Sequence, residues 1–539
     1  MAKTMPQVSN SKRGYLDLHE HIDALDRAGL LVRVKREINK DTEMHPLVRW
    51  QYRGGLPEKQ WRGFLFENVI DSKGRRYDMP VGVGVMAGSM YIYALGLGCE
   101  VEEVRSKWDY AYHHTIDPVL IERGPVQEII QMKGDLKRAG GLTQFPVPIS
   151  TPGFDGAPFF TAANCVSKDP ETGVRNMGNY RGHLKAVDRV GIYTGFGQHS
   201  FAHWKMHKER KIPMEAALVI GPPPLVSYAA VQKVPYGVDE LAVAGALAGE
   251  PIRLVKCQTV DLEVPADAEI VIEGRISTEY IEPEGPFGES HGYMHPRMFN
   301  PYLEVTCITR KRNPVFISWM SQVTPSESSV IKRVGYESLF VDFLRKDLGI
   351  KSVTKVALHE PLTNLRKVAV MQMKKPTEAE IWRALMGAAT LHPGVGKFLF
   401  AVDEDIDPWD MEMVMWAASY RCWPERDVQI IKGREIGHGP PFERTEVPVD
   451  SRRSDDSAVL VNAILREPYP PVSLPKREFM ERARQIWEEL GLPALTPKSP
   501  WFGYSLGDWD DELQEEAEAA LRGDFEQIGE KLKARRIKT

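Results

Sequence analysis

The chain has 539 residues, more than one ordinary hydrophobic core can serve, so two or three domains are expected. Apolar residues make up 42% and charged residues 27%, the mix of a water-soluble globular protein. A net charge of −5 gives no reason to expect nucleic acid or an anionic membrane as partner. No basic n-region with an apolar h-region opens the chain, and Pro222, Pro223 and Pro224 interrupt the apolar run 216–231, so neither a secretory signal nor a membrane span is expected. Five scattered cysteines (Cys99, Cys165, Cys257, Cys307, Cys422) form no Cys-x-x-Cys pair. They read as reduced thiols of a cytoplasmic protein, most simply as buried hydrophobes, and not as zinc ligands.

In chain order, Asp17 and Glu20 have capping-box spacing, Leu18, Ile22 and Leu25 mark a helical face, and Gly29 suits its end. Residues 30–34 read as a strand. From there to about 320, short β-branched runs (80–85, 216–220, 269–272, 302–308) alternate with Gly/Pro turns, an α/β pattern rich in strands. A helix is expected over 326–348, with Val330, Val334, Leu339 and Phe343 as its apolar positions. A second α/β unit follows: strand 368–371, helix 377–389, strand 398–402, and a helix over 408–418 after the acidic run 403–407. The tail from about 475 reads as helical, with Leu513, Ala517 and Leu521 on one face and Gly523 as a stop. A tail of this kind docks on its own domain or, as a second reading, on a partner subunit.

Four segments carry candidate chemistry. Between 283 and 293 two carboxylates, Glu284 and Glu289, share a loop stiffened by Pro283, Gly285, Pro286 and Gly288, a way to aim both carboxyls into one cavity. The run 269–273 would anchor it. Residues 175–181 (Arg175, Asn176, Met177, Gly178, Asn179, Tyr180, Arg181) offer arginines suited to carboxylate or phosphate, or else form a surface turn. Residues 193–199 end a strand-like run in glycines and deliver Gln198 and His199, as a ligand site or a structural histidine. Residues 235–240 place Glu240 at the start of a small-residue helix, where the dipole favours an anion. Asn176, His199 and Glu240 together offer an amide oxygen, an imidazole and a carboxylate, a set suited to Mn²⁺, Fe²⁺ or Mg²⁺.

The order of these segments resembles the UbiD-like decarboxylases, in particular their aromatic-acid branch. Asn176 to Arg181, Gln198 with His199, Gly237 to Glu240, the stretches 254–257 and 262–266, and above all Pro283 to Glu289 are similar to that family's motifs, and the likeness extends through 405–408 and 420–422. The resemblance implies an α/β fold with a split β-barrel flavin-binding domain (1–325), a linking helix (326–348), an α/β oligomerisation domain (349–475) and a helical C-terminal tail (476–539). It implies prenylated FMN, a divalent metal and a potassium ion, with Asn176, His199 and Glu240 holding the metal. Asn176, Gly178, Asn179, Tyr180, Arg181, Gln198, His199 and Glu240 would bind the cofactor, and Arg181, Glu284 and Glu289 would be catalytic. Decarboxylation leaves electron density on carbon, so the cofactor acts as sink and Glu289 as the proton donor, with Glu284 paired to Arg181. A dimer or dimer-built hexamer and a flavin prenyltransferase that supplies the cofactor are the implied partners.

The chain departs from the family in two places. Residues 229–233 stand where some members carry a Ser-Ser-Met-Pro run, so any potassium contact would be through main-chain carbonyls, and Lys233 is unusual there, placed to meet an anionic group. The family's phosphate-contacting lysine finds no counterpart near Gly437, His438 and Gly439, where Arg444 and Glu446 stand instead. The segment 500–509 resembles bacterial degradative members, including phthaloyl-CoA decarboxylases, so an aromatic acid or its CoA thioester is the expected substrate. Two other readings stay open: an oxidoreductase using ordinary FMN on a split barrel, and a non-catalytic subunit of a multi-subunit carboxylase.

Overall fold

The structure, a computed structural model, describes residues 13–195, 198–359, 367–391, 395–434, 456–467, 469–495 and 509–537. The expectations placed at 437–446 and 500–508 lie outside them. Asp17 and Glu20 close the capping box of helix Leu18–Arg27, which buries Leu18, Ile22 and Leu25. The chain then enters a five-stranded sheet in which Leu31–Asn39 runs parallel to Gly63–Ile70. Val81–Val83 pairs on the other side and leads to Phe316–Ser318.

The central body is a nine-stranded sheet in which every pairing is antiparallel. Its strands run in the order Phe159–Phe160, Gly182–Ala186, Arg189–Ile192, Tyr302–Arg310, Ile270–Ile276, Met214–Ile220, Asn164–Lys168, Arg175–Asn179, with Ile129–Met132 also on Tyr302–Arg310. Phe160, in the first strand, and Asn164, in the last but one, lie four residues apart in the chain, and Asn179, in the last strand, lies three from Gly182, in the second. Four residues span at most about 14 Å, so the sheet is rolled until its ends meet, which is the split-barrel form. Val166, Ala217, Val219 and Val271 belong to the apolar core on one side of it. Cys165, Ala216, Leu218 and Ile272 belong to the core on the other, as the period of two requires.

Helix Glu327–Asp342, continued by a π-helical turn at Phe343–Asp347, joins the two bodies of the molecule. Its Val330, Ile331 and Val334 sit in the first body's core, and its Tyr336 and Phe340 in the second's. Glu337 ties both: its carboxylate accepts from Arg105 Nη2 at 2.5 Å, from Leu358 N at 3.0 Å and from Trp409 Nε1 at 2.9 Å. The second body is a five-stranded sheet, ordered Val353–Leu358, Val368–Met373, Phe398–Asp403, Asp456–Ala463, Val428–Arg434, with parallel centre and antiparallel edges.

Two expectations differ from the structure. The helix expected from 408 begins at Met411, because Asp410 is its N-cap and accepts from Glu412 N and Met413 N. The tail is helical at Arg477–Glu489, Asp511–Leu521 and Phe525–Lys533, but the first two helices bury no residue. Ile486, Leu490, Leu513 and Leu521 remain exposed. The last two helices pack on each other, and no described residue buries these apolar side chains.

Two fully buried histidines give the fold an acid limit. His21 donates Nε2–H to Val85 O at 2.8 Å, and His45 Nε2 lies 2.9 Å from Ser318 Oγ. Burial pushes His21 down to about 4, and burial, with the Arg49 charge, pushes His45 down to about 3. Between those values and 6.5 the unfolded chain binds protons that the folded chain refuses. Stability is therefore full above pH 6.5 and falls as pH drops through the window, by roughly 3–5 kcal/mol per histidine over its whole range. The thermal midpoint is expected to fall steeply from pH 6.5 to 4, and less steeply in a His21→Gln/His45→Gln variant. A midpoint unchanged between pH 7 and 5 would contradict this.

Candidate active site

Glu284 and Glu289 are mounted on two short ladders. Glu282–Glu284 pairs with Met298–Asn300, and Phe287–Gly288 with Met294–His295. The anchor is thus local; the strand Ile270–Ile276 leads toward the loop without pairing with it. Gly292, at φ +94°, closes the turn: its N–H donates to Glu289 O at 3.1 Å, and Glu289 N donates to Tyr293 O at 3.1 Å. Asp155 fixes the loop from outside, accepting from Gly288 N at 3.1 Å through one oxygen, and from Thr151 N at 2.7 Å and Ser150 N at 3.1 Å through the other.

Arg181 follows the strand Arg175–Asn179 and meets both carboxylates. Nε and Nη2 donate to the two oxygens of Glu284, each at 2.8 Å, and Nη1 donates to Glu289 Oε1. Asn300 Nδ2 adds a bond to Glu284 Oε2 at 3.2 Å. The guanidinium lies over the Tyr193 ring at 4.3 Å and near Phe287 at 5.2 Å. Burial works against its charge, yet the Glu284 charge and hydrogen bonds leave the Arg181 pKa raised. The pair is bidentate and planar, a geometry only arginine provides.

The second group draws on Asn176, on the segment that leads to Arg181, and on His199 and Glu240 from later helices. Glu240 opens helix Glu240–Ala248, is buried, and accepts from Met177 N at 2.8 Å, the amide next to Asn176. Burial pushes its carboxyl up to about 8, against the Met177 N–H and the Lys233 charge. Tyr180 lies between the side chains of Asn176 and Ser200, and Ser200 adjoins His199 at the start of helix His199–Glu209. Asn176 is thus linked to Glu240 through the Met177 amide, and to His199 only through Tyr180 and Ser200. Burial and the Lys233 charge hold His199 down to about 4, so it is a neutral imidazole at pH 7. Asn176 Nδ2 is buried with no hydrogen-bond partner, and the Asn176 amide can equally present its oxygen at that position. A buried carboxylate short of counter-charge, a neutral imidazole and an orphaned amide fit a hard or borderline divalent cation. Among the described residues no group of three or more His, Cys, Asp or Glu side chains is placed to hold a metal ion.

The remaining expected site residues make these local contacts. A Cβ on Gly178 would collide with the Tyr180 hydroxyl, so glycine makes room for that ring. Asn179 Nδ2 donates to Thr161 O at 3.1 Å, and Gln198 Oε1 accepts from Gly195 N at 2.7 Å, so both amides brace the backbone. Sequence reasoning missed Asn300, Asp155 and also Glu327, which is buried and accepts from Gly84, Met86, Ala87 and Met320 N–H groups. Only the turn residues beside Asp155 carry a sequence signal for any of the three. His199, Lys233 and Tyr236 line a cavity of about 510 Å³ that Tyr336 and Phe340 of the joining helix and Val395 of the second body close from the far side.

Residues 119–323 match a family model described as the 3-octaprenyl-4-hydroxybenzoate carboxy-lyase Rift-related domain, and 334–444 match the C-terminal domain of the same enzyme. An uncharacterized protein of Synechocystis sp. is 27% identical over 519 residues, 91% of this chain and 99% of that protein. Among solved structures, an evolved dimeric form of the UbiD-class enzyme HmfF from Pelotomaculum thermopropionicum, in complex with prFMN, is 31% identical. It covers 87% of this chain and 99% of its own, with a TM-score of 0.72. The closed form of vanillic acid decarboxylase from Sedimentibacter hydroxybenzoicus shares the fold at TM-score 0.77 and 24% identity, over 89% of this chain and all of its own.

Proposed function

The chain belongs to the UbiD family of carboxy-lyases, and from that membership we propose that it catalyses reversible, non-oxidative decarboxylation of an aromatic or α,β-unsaturated acid with prenylated FMN. The substrate class we favour is an aromatic acid or its CoA thioester, phthaloyl-CoA-like in kind. The observation that carries the reading is the Arg181 guanidinium bridging Glu284 and Glu289, with Arg181 on the segment that also carries Asn176 and the Met177 amide bonded to Glu240. Asn176, His199 and Glu240 would hold a divalent ion that ties the cofactor phosphate to the protein, and Gly178, Asn179, Tyr180 and Gln198 would shape the flavin's bed. When bound, prenylated FMN supplies the electron sink that carbon–carbon cleavage needs. Arg181 orients the substrate carboxylate, Glu284 keeps Arg181 charged and fixed, and Glu289 delivers a proton to the carbon that CO₂ leaves. The 349–475 unit would carry homo-oligomerisation.

The test is production together with a flavin prenyltransferase, a mass spectrum of the bound flavin, and CO₂ exchange across a panel of aromatic acids and acyl-CoA thioesters. A modified flavin and exchange with one class of acid are expected. NAD(P)H oxidation over ordinary FMN without CO₂ exchange would overturn the reading in favour of an oxidoreductase. Absence of both flavin and exchange would favour a non-catalytic subunit.

A further inference from the structure

We propose that Arg49 and Gln322 form an anion-binding subsite beside the Glu289 loop, one that takes a negatively charged oxygen group of the substrate other than the carboxylate that leaves. The inference rests on the decarboxylase reading above. It narrows the substrate to acids with a further anionic group, either a second carboxylate or the phosphate of a thioester carrier. Arg49 and Arg53 stand one turn apart on helix Met44–Arg53 and reach the segment that follows strand Phe316–Ser318. Arg49 Nη1 donates to Val323 O at 3.1 Å and Nη2 to Gln322 Oε1 at 2.5 Å, while Arg53 Nη2 donates to Thr324 O. That segment lies against the catalytic loop. A Cβ on Gly288 would stand 2.9 Å from Gln322 Cγ, and one on Gly292 would stand 4.0 Å from Val323 Cγ2. Gly288 directly precedes Glu289, and Gly292 closes its turn.

Two kinds of donor there lack an anion. Gln322 is 5% exposed, and its Nε2 is buried with no hydrogen-bond partner. Its Oε1 already accepts from Arg49, so the atom left over is a donor. The Arg49 guanidinium puts two of its five N–H groups on neutral oxygens. Arg175, Arg181 and Arg421 are buried as well, and each of them pairs with two carboxylates. Among the described residues Arg49 and Arg53 pair with none. Burial pushes the Arg49 pKa down to about 10; Tyr52 works against that, and the like charge of Arg53 adds to it. His45, one turn back, is neutral, held down to about 3 by burial and by Arg49 itself. Glu58 and Glu327 act on Tyr52, and backbone amides take up both carboxylates. A buried guanidinium without counter-charge, beside an amide N–H without an acceptor, suits a carboxylate or phosphate oxygen.

The test is calorimetric binding of benzoate, of the benzene dicarboxylates and of coenzyme A to the full chain produced with a flavin prenyltransferase. The native chain is compared with Arg49→Met and Gln322→Glu. In Gln322→Glu a carboxylate of nearly the same shape supplies the counter-charge of Arg49 from within, so the fold is kept. The native chain is expected to bind one dicarboxylate or coenzyme A at least about tenfold more tightly than benzoate. Preference for a dicarboxylate assigns the subsite to a second carboxylate, and preference for coenzyme A assigns it to the carrier phosphate. Both variants are expected to bring that ratio close to one, and Gln322→Glu is expected to raise the thermal midpoint. A native chain that binds none of the probes, or binds benzoate as tightly as the others, overturns the proposal. So does a ratio left unchanged in Gln322→Glu. A chain that keeps the preference but carries no modified flavin and exchanges no CO₂ overturns the decarboxylase reading and leaves the subsite standing.

Discussion

Glu289→Gln is expected to leave the flavin bound and to lower turnover by about 10²–10⁴-fold, the range a general acid contributes. The two carboxylates of the loop differ in ways that divide the labour. Glu284 has 0% side-chain exposure and takes three hydrogen bonds, two from Arg181 and one from Asn300, while Glu289 keeps 13%. A proton donor must be recharged after each cycle, so the carboxyl that solvent can reach is the one suited to the task. Glutamine at 289 keeps an oxygen for Arg181 Nη1 and fits the same turn, so the bed of the site stays intact. It has no acidic proton to deliver. Steady-state CO₂ release and incorporation of solvent deuterium into product check the expectation, with flavin content measured in parallel. Turnover within about tenfold of the native chain would remove Glu289 from the donor role.

The features that were readable in the sequence are those whose causes are local. Asp17 and Glu20 sit three residues apart and cap the first helix. The strands at 81–83, 214–220, 270–276 and 302–310 follow from β-branched runs between Gly/Pro turns. The segment 283–289 shows its stiffness in its own composition. Features built from distant pairs were not readable. Asp155 holds a backbone amide 133 residues away, and Glu327 gathers amides from a loop some 240 residues before it. No spacing encodes such a meeting. The exposed face of the tail belongs to the same class, since an apolar stripe states that a helix has a preferred side and not what covers it.

Arg181→Met tests the other half of the loop, and its expected cost is both structural and catalytic. Removing the guanidinium leaves the Glu284 carboxylate fully buried with only Asn300 Nδ2, at 3.2 Å, as a polar partner. Breaking one side of a buried ion pair costs about 3–5 kcal/mol, because the remaining charge keeps its desolvation penalty without compensation. Unfolding by denaturant should show that loss directly, with an unchanged slope. On the proposed mechanism turnover should vanish as well, because Arg181 Nη1 holds Glu289 and would orient the substrate carboxylate. A double variant, Arg181→Met with Glu284→Gln, separates the two effects: it removes the stranded charge, so most of the stability returns while activity does not. Arg181→Lys is the finer probe. It keeps the charge but cannot bond both oxygens of Glu284 and reach Glu289 at once, so stability should be largely retained and turnover still lost. Near-native turnover in Arg181→Lys would show that charge alone suffices at this position, and that the forked geometry of Arg181 has no part in the chemistry.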